Sequence, residues 1–461
     1  MLQGLNIESC RKPLTAAGWL ACLVAAFAAT VAIPWTDEVF YADPGVGFAL
    51  GQGFRSSDWS PLGGDAAWGL SNPGVGMLLA VWCKLLGVGA VSVHAFFIVV
   101  FVGGFWLLSG WLVSRLGLPS WARPLVLTVG MASHSLSGNA MHHARPDAFW
   151  PLLAWLFLES SFGSGGLLRR AAFAVGLGVG ASLLGLQFCA YFALTAALLF
   201  LFRRDRQTFI LGLWLAFGML LALAALWAAY ESLGIWGSFV ESRRTSLGVR
   251  FEPGFWLISP DLFILFPLSL ALLRHGDWRS PAASAPLALL LLVPAAMHLA
   301  GRYQAPYSWM TTAPALFFLL KSAVEVRPFR RPFAVGLCVL LLLGLAARVR
   351  DAGRSVSDAI TRREALSALL RAAPPGSAPG LVSVPLYYDV RAAGYDVVVA
   401  FNHVVPPRGA ASSRVEWALL SDVDVPLLTP RLPGRWERSA VILPGVLPAG
   451  HGGFVLLRRK P

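Results

Sequence analysis

Apolar residues run along this chain in long unbroken blocks rather than at alternate positions. Blocks near ~20 residues cross a bilayer as helices, and strict alternation would instead signal a barrel. The blocks Leu14–Ile33, Ser92–Ser114, Leu125–Met141, Ala148–Leu158, Ala171–Gly185 and Phe188–Phe202 are read as spans. So are Phe209–Tyr230, Phe255–Leu273, Pro286–Ala300, Pro306–Leu320 and Phe333–Ala347. Pro73–Leu86 is shorter and carries Lys84, which fits an interfacial or re-entrant helix.

Polar positions set the direction of these blocks. Arg11 and Lys12 precede the first one, so the N-terminus is cytoplasmic and the block is an uncleaved span. The stretch that follows holds Asp37, Glu38, Asp43, Asp58 and Asp65 against a single Arg55, which marks it as outside. With Pro73–Leu86 left out of the count, every basic cluster between spans faces the cytoplasm. These clusters are Arg115 with Arg123, Arg169-Arg170, Arg203 to Arg206, Arg274 with Arg279, and Lys321 to Arg331. Counting it as a span would reverse most of them, so the positive-inside rule selects about 11 spans and an extracytoplasmic C-terminus.

Beyond Ala347 the pattern changes. Asp351–Ala373 reads as an amphipathic helix with Ile360, Leu366, Leu369 and Leu370 on one face, broken by Pro374-Pro375-Gly376. Strand-like runs follow at Leu381–Tyr388, Val397–Phe401, Ala440–Leu443 and Phe454–Leu457. The expected fold class is an all-α polytopic membrane protein with juxtamembrane helices and a small C-terminal extracytoplasmic α/β domain. Residues 1–348 form the membrane domain, with outer loop 35–91, and residues 349–461 the soluble domain.

Composition removes whole classes of function. The 461 residues are 56% hydrophobic and 13% charged, about half the charged share of a soluble globular protein. That excludes a soluble enzyme, and the apolar content excludes disorder. The net charge of +13 belongs to the cytoplasmic segments rather than to a nucleic-acid surface, since 15 of the 37 basic residues fall there. Lysine supplies only four of them, a bias expected of a GC-rich bacterial genome and hence a bacterial inner membrane. The five cysteines form no CxxC pair, and no phosphate-binding glycine loop is present.

Chemistry concentrates at the outer ends of the spans. Asp37 and Glu38 follow Pro34-Trp35-Thr36, where Thr36 also suits a helix cap. His142, His143, Arg145 and Asp147 share one outer turn; a cap by Asp147 and a local pair with Arg145 are the simplest structural roles there. The adjacent histidines lack the i, i+4 spacing of a metal pair, so no metal is expected. Arg302-Tyr303 ends a later span, and Arg243, Arg244 and Arg250 break the inside-positive trend. A carboxylate can act as general base towards a hydroxyl, and arginine can neutralise a phosphate leaving group.

These residues resemble a family. Trp35-Thr36-Asp37-Glu38-Val39-Phe40-Tyr41 after the first span resembles the Asp-Glu motif of GT-C glycosyltransferases, in the branch of protein O-mannosyltransferases and the lipid A aminoarabinose transferase. Asn72-Pro73-Gly74 leading to Lys84-Leu85-Leu86-Gly87 resembles its juxtamembrane helix. Ala144-Arg145-Pro146-Asp147 and Arg302-Tyr303 with Pro306 and Pro314 resemble its later outer segments. Gln187 stands where many relatives carry a Thr-Lys-Gly segment.

The resemblance implies the GT-C fold and transfer of a sugar from a polyprenyl-phosphate donor to an outer hydroxyl, with inversion. The acceptor would be a lipid, glycan or protein, within a shell of membrane lipids and without nucleic acid. Asp37 would be the base, Glu38 would orient it or bind the acceptor, and Asp147 would be a further catalytic carboxylate. Arg145, Arg302 and one of Arg243 and Arg244 would meet the phosphate. His142, His143, Tyr303 and Lys84 complete the substrate-binding set, and no cofactor is needed. The competing class is a transporter or flippase for the same lipid-linked sugars, which would want charged or broken helices near the bilayer midplane and an internal repeat.

Overall fold

The computed structural model describes residues 7–34, 36–54, 73–118, 120, 123–124, 127, 145–237, 239–240, 260–276, 290–292, 295, 309–376, 379–400, 415–432, 434–442 and 453–460. Among the described residues the order opens with the helices α1 Ile7–Thr30, α2 Thr36–Ala49, α3 Pro73–Leu86, α4 Ala90–Arg115, α5 Trp150–Phe162, α6 Leu167–Leu184, α7 Leu186–Arg203, α8 Arg206–Ser232, α9 Pro260–His275, α10 Trp309–Glu325 and α11 Arg330–Ala372. Then come β1 Gly380–Ser383, α12 Tyr387–Ala392, β2 Val397–Ala400, β3 Trp417–Ser421, α13 Val425–Leu428, β4 Trp436–Ile442 and β5 Phe454–Arg459. Among the described residues, four stretches are long and apolar enough to cross a membrane: α4, α6, α8 and the segment Arg327–Ala372. The proposed spans Leu125–Met141 and Pro286–Ala300 lie largely outside the described residues.

The chain divides into two compact units. The first comprises residues Met1–Ala26, Val99–Met141 and Pro146–Arg348; the second comprises Phe27–Ile98, His142–Arg145 and Val349–Pro461.

In the first unit, small residues let helix backbones approach. A Cβ built on Gly178 of α6 would lie 2.4 Å from the Leu215 carbonyl of α8, and one on Gly218 of α8 2.4 Å from the Val175 carbonyl. Without a hydrophobic driving force between helices in lipid, such close packing is a main source of their association. Trp150 of α5 stacks on Phe317 of α10, with centroids 6.3 Å apart. Arginines bind carbonyls at helix ends. Arg115 donates to the Phe162 carbonyl at 2.6 Å, and Arg170 donates to those of Ser160 and Ser161 at 2.7 and 2.8 Å. Arg330 likewise donates to the carbonyls of Ala323 and Val324. The last carbonyls of a helix lack intrahelical donors and carry the negative end of its dipole, so a guanidinium satisfies both.

In the second unit, α3 packs its buried face, Val75, Gly76, Leu79, Ala80 and Cys83, against α2. Gly45 makes that approach possible, since an added Cβ would fall 2.6 Å from the Gly76 carbonyl. Leu78, Val81, Leu85 and Leu86 on the other face of α3 remain exposed. The tail forms a five-stranded sheet in the order β2-β1-β3-β5-β4. β1 pairs in parallel with β2 and β3, while β5 runs antiparallel to β3 and β4. Leu381, Ala418, Leu420, Leu428, Val455 and Leu457 form its core.

Three sequence expectations change. The run Leu381–Tyr388 is not one strand: β1 ends at Ser383, a 3-10 turn holds Val384–Leu386, and α12 begins at Tyr387. Pro385 lacks the amide a ladder needs, and a parallel β1–β2 pair needs a crossover. β3, which sequence reading passed over, is wholly buried at the sheet centre. The amphipathic segment and the last span are one helix, α11, because Pro332 and Pro374 bound it and no proline lies between.

Candidate active site

α2 begins directly after α1, and Asp37 is its second residue. The helix is short and carries Pro44 inside, so the Phe40 carbonyl has no i+4 amide to accept from. Isolated helices shorter than ~12–15 residues are marginal, so contacts from elsewhere must hold α2.

Glu38 supplies the first. It is wholly buried, and its Oε1 lies 2.6 Å from Nε2 of His94 on α4, also wholly buried. Nδ1 of His94 lies 3.2 Å from the Thr30 carbonyl at the end of α1. A carbonyl only accepts, so Nδ1 donates to it. Nε2 then either donates to a Glu38 carboxylate from an imidazolium, or accepts from a protonated Glu38. Both arrangements hold the same number of protons and have zero net charge. The pair is therefore a neutral unit sharing one proton, which is how two ionisable groups can occupy a dry interior.

The tail domain supplies the rest through α12. The buried Tyr388 hydroxyl sits beside Glu38, short of ordinary hydrogen-bond geometry. Burial first, then the charges of Glu38, Tyr387 and Asp43, raise its pKa well above the ordinary tyrosine value of 10.0. Tyr387 donates to Asp43 of α2, and Arg391 donates to Gln52 just beyond α2. Arg362 of α11 orients this turn by contacting Asp389 at 3.4 Å and the Pro385 carbonyl. Burial raises the Asp389 pKa, against the opposing pull of Arg362, His94 and Arg363.

The remaining expected residues fall as follows. Arg145 is buried in the second unit, and Asp147 is buried in the first, inside a 3-10 turn at Pro146–Phe149. Asp147 does not cap α5, whose N-cap is Phe149 without a side-chain bond. Lys84, exposed in the last turn of α3, holds its amine 5.9 Å from the Phe48 ring centroid. Backbone placement is described for Asp37, but its side chain lies outside the described residues, as do His142, His143, Arg243, Arg244, Arg302 and Tyr303. Among the described residues no group of three or more His, Cys, Asp or Glu could hold a metal, and Cys22, Cys83, Cys189 and Cys338 form no disulfide.

Sequence reasoning missed His94, Asp43, Gln52, Tyr387, Tyr388 and Arg391. His94 stands alone on an apolar helix and gives no sequence signal. Pro385 was the available signal for α12, since a proline inside a strand pattern argues for a turn.

No protein-family model and no curated protein matches the chain. Solved structures do. ArnT from Cupriavidus metallidurans bound to undecaprenyl phosphate aligns over 97% of this chain and 98% of its own, with TM-score 0.63 and 12% identity. The apo state of that protein gives TM-score 0.60 and 13% identity over 97% and 99%. Arabinofuranosyltransferase AftD from Mycobacteria gives TM-score 0.52 and 18% identity over 98% of this chain, which spans 40% of AftD. At these identities it is architecture that is shared: this chain has the fold of the ArnT and AftD structures.

Proposed function

We propose that the protein transfers a sugar from a polyprenyl-phosphate donor to a hydroxyl of an extracytoplasmic acceptor, with inversion at the anomeric carbon. One observation carries this reading: the fold matches, nearly end to end, a structure bound to undecaprenyl phosphate. The position of Asp37 supports it further, as an acid at the start of a helix that the rest of the second unit holds in place. Asp37 takes the acceptor proton as the acceptor oxygen attacks the anomeric carbon. The bond from that carbon to phosphate oxygen breaks, and polyprenyl phosphate leaves. Arg145 with Arg302, and one of Arg243 and Arg244, neutralise the departing phosphate. Asp147 holds the acceptor. The protein sits in a bacterial inner membrane with residues 1–348 as the membrane domain and residues 349–461 on the extracytoplasmic side.

The test is Asp37→Asn in lipid nanodiscs, assayed with polyprenyl-phosphate pentoses and hexoses. General-base catalysis contributes roughly 10²–10⁴-fold, so kcat falls by at least about 10²-fold while donor binding is retained. Wild-type kcat in this variant contradicts the assignment.

A further inference from the structure

We infer that the shared-proton pair Glu38–His94 is a positioning device for the Asp37 helix, and that the tail domain is its other half. The inference rests on the transferase reading only for its kinetic consequence.

Three observations carry it. First, Glu38 is sealed and one of its oxygens is engaged by His94, so it is placed to hold α2 rather than to receive an acceptor. Second, His94 bridges two chain segments at once, the Thr30 carbonyl closing α1 and Glu38 opening α2. It thereby fixes the short link that delivers Asp37. Third, the tail grips the same helix at separate points: Tyr388 beside Glu38 in the first turn, Tyr387 on Asp43 further along, and Arg391 on Gln52 past its end. The first turn of a helix has no intrahelical acceptors for its amides and frays readily. The anchors flank that weak point and the break at Pro44.

The groups facing His94 are Glu38 on α2, the Thr30 carbonyl on α1, Tyr388 and Asp389 on α12, and Arg362 on α11. All belong to the second unit. This environment explains why a neutral amide should replace the Glu38 carboxyl. In Glu38→Gln the side-chain amide would donate to Nε2 of a neutral His94 while Nδ1 keeps donating to Thr30, leaving both ring nitrogens satisfied. An alanine leaves His94 buried with no partner at Nε2.

The experiment is hydrogen exchange of residues 36–49 in the full chain in nanodiscs, combined with steady-state kinetics. Glu38→Ala and Tyr387→Phe should each speed exchange of that segment by about tenfold, with β1 and β3 as protected as in the wild type. Both should lower kcat about tenfold with KM within about twofold, and Glu38→Gln should restore both readouts to within about threefold of wild type. Unchanged exchange in Glu38→Ala and Tyr387→Phe would overturn the inference. So would a Glu38→Gln variant as damaged as Glu38→Ala, because the charge and not the shared proton would then matter. Exchange needs no turnover, so a wild type without transferase activity would overturn the proposed function and leave this device standing.

Discussion

An imidazole wedged between a carbonyl and a carboxylate has little freedom in how it is protonated. At His94 both neighbours accept a proton, and the ring and the Glu38 side chain are wholly buried. Removing one member of such a buried pair leaves a desolvated polar group, typically at a cost of about 3–5 kcal/mol. Tyr388 carries a related consequence. Its raised pKa means the native state keeps a proton that the unfolded chain releases near pH 10. The unfolded state then binds fewer protons, so stability falls as pH rises above about 10. Denaturant titrations followed by fluorescence should show this alkaline loss, and Tyr388→Phe should flatten it. An equally steep loss in Tyr388→Phe would assign the effect elsewhere. At this scale the sequence made one part of the site legible and hid another. Two acids beside an apolar block are conspicuous because charge is costly there. A lone histidine, whose carboxylate partner lies 56 residues away, is not.

Helices were the most legible elements, because apolar block length maps directly onto bilayer thickness. Pro73–Leu86 forms a helix over just those residues, too short for the span criterion. The end of the last span was not legible, because hydropathy and helix continuity obey different rules. Arg348, Arg350 and Asp351 end the apolar block, yet nothing there prevents helical dihedrals. With 43 residues at 1.5 Å each, α11 extends about 65 Å, roughly twice the hydrocarbon core. Close helix contacts were also invisible, since a glycine in an apolar block looks like any small residue. Gly178→Leu should separate α6 from α8 and cost about 1–3 kcal/mol, lowering the midpoint of thermal unfolding. Gly45→Val should instead push α3 from α2, reducing activity more than the unfolding midpoint. Equal midpoints for Gly178→Leu and wild type would rule out the tight α6–α8 contact.

For the whole molecule, the basic ends of the helices and the tail domain belong to opposite sides of the membrane in the proposed orientation. Arg115, Arg170 and Arg330 hold helix carbonyls, so the basic residues between apolar blocks also finish helix ends. With the native cysteines removed, a cysteine at exposed Glu437 should react with an impermeant maleimide on intact spheroplasts. One at Arg331 should react only after permeabilisation. The reverse labelling pattern would invert the topology. The mostly helical class, with apolar helices and a small C-terminal sheet, was legible from block length and the change of pattern past Ala347. The gripping of α2 by α12 was not, because it joins residues some 344 positions apart.

The account turns on whether this chain makes a glycosidic bond. Purified protein in proteoliposomes, given a radiolabelled polyprenyl-phosphate sugar panel and candidate lipid, glycan and protein hydroxyl acceptors, answers that directly. A transferase leaves label on an acceptor with one polyprenyl phosphate released per sugar transferred, and Asp37→Asn loses that product. Movement of intact lipid-linked sugar across the bilayer with no labelled acceptor would contradict the transferase reading.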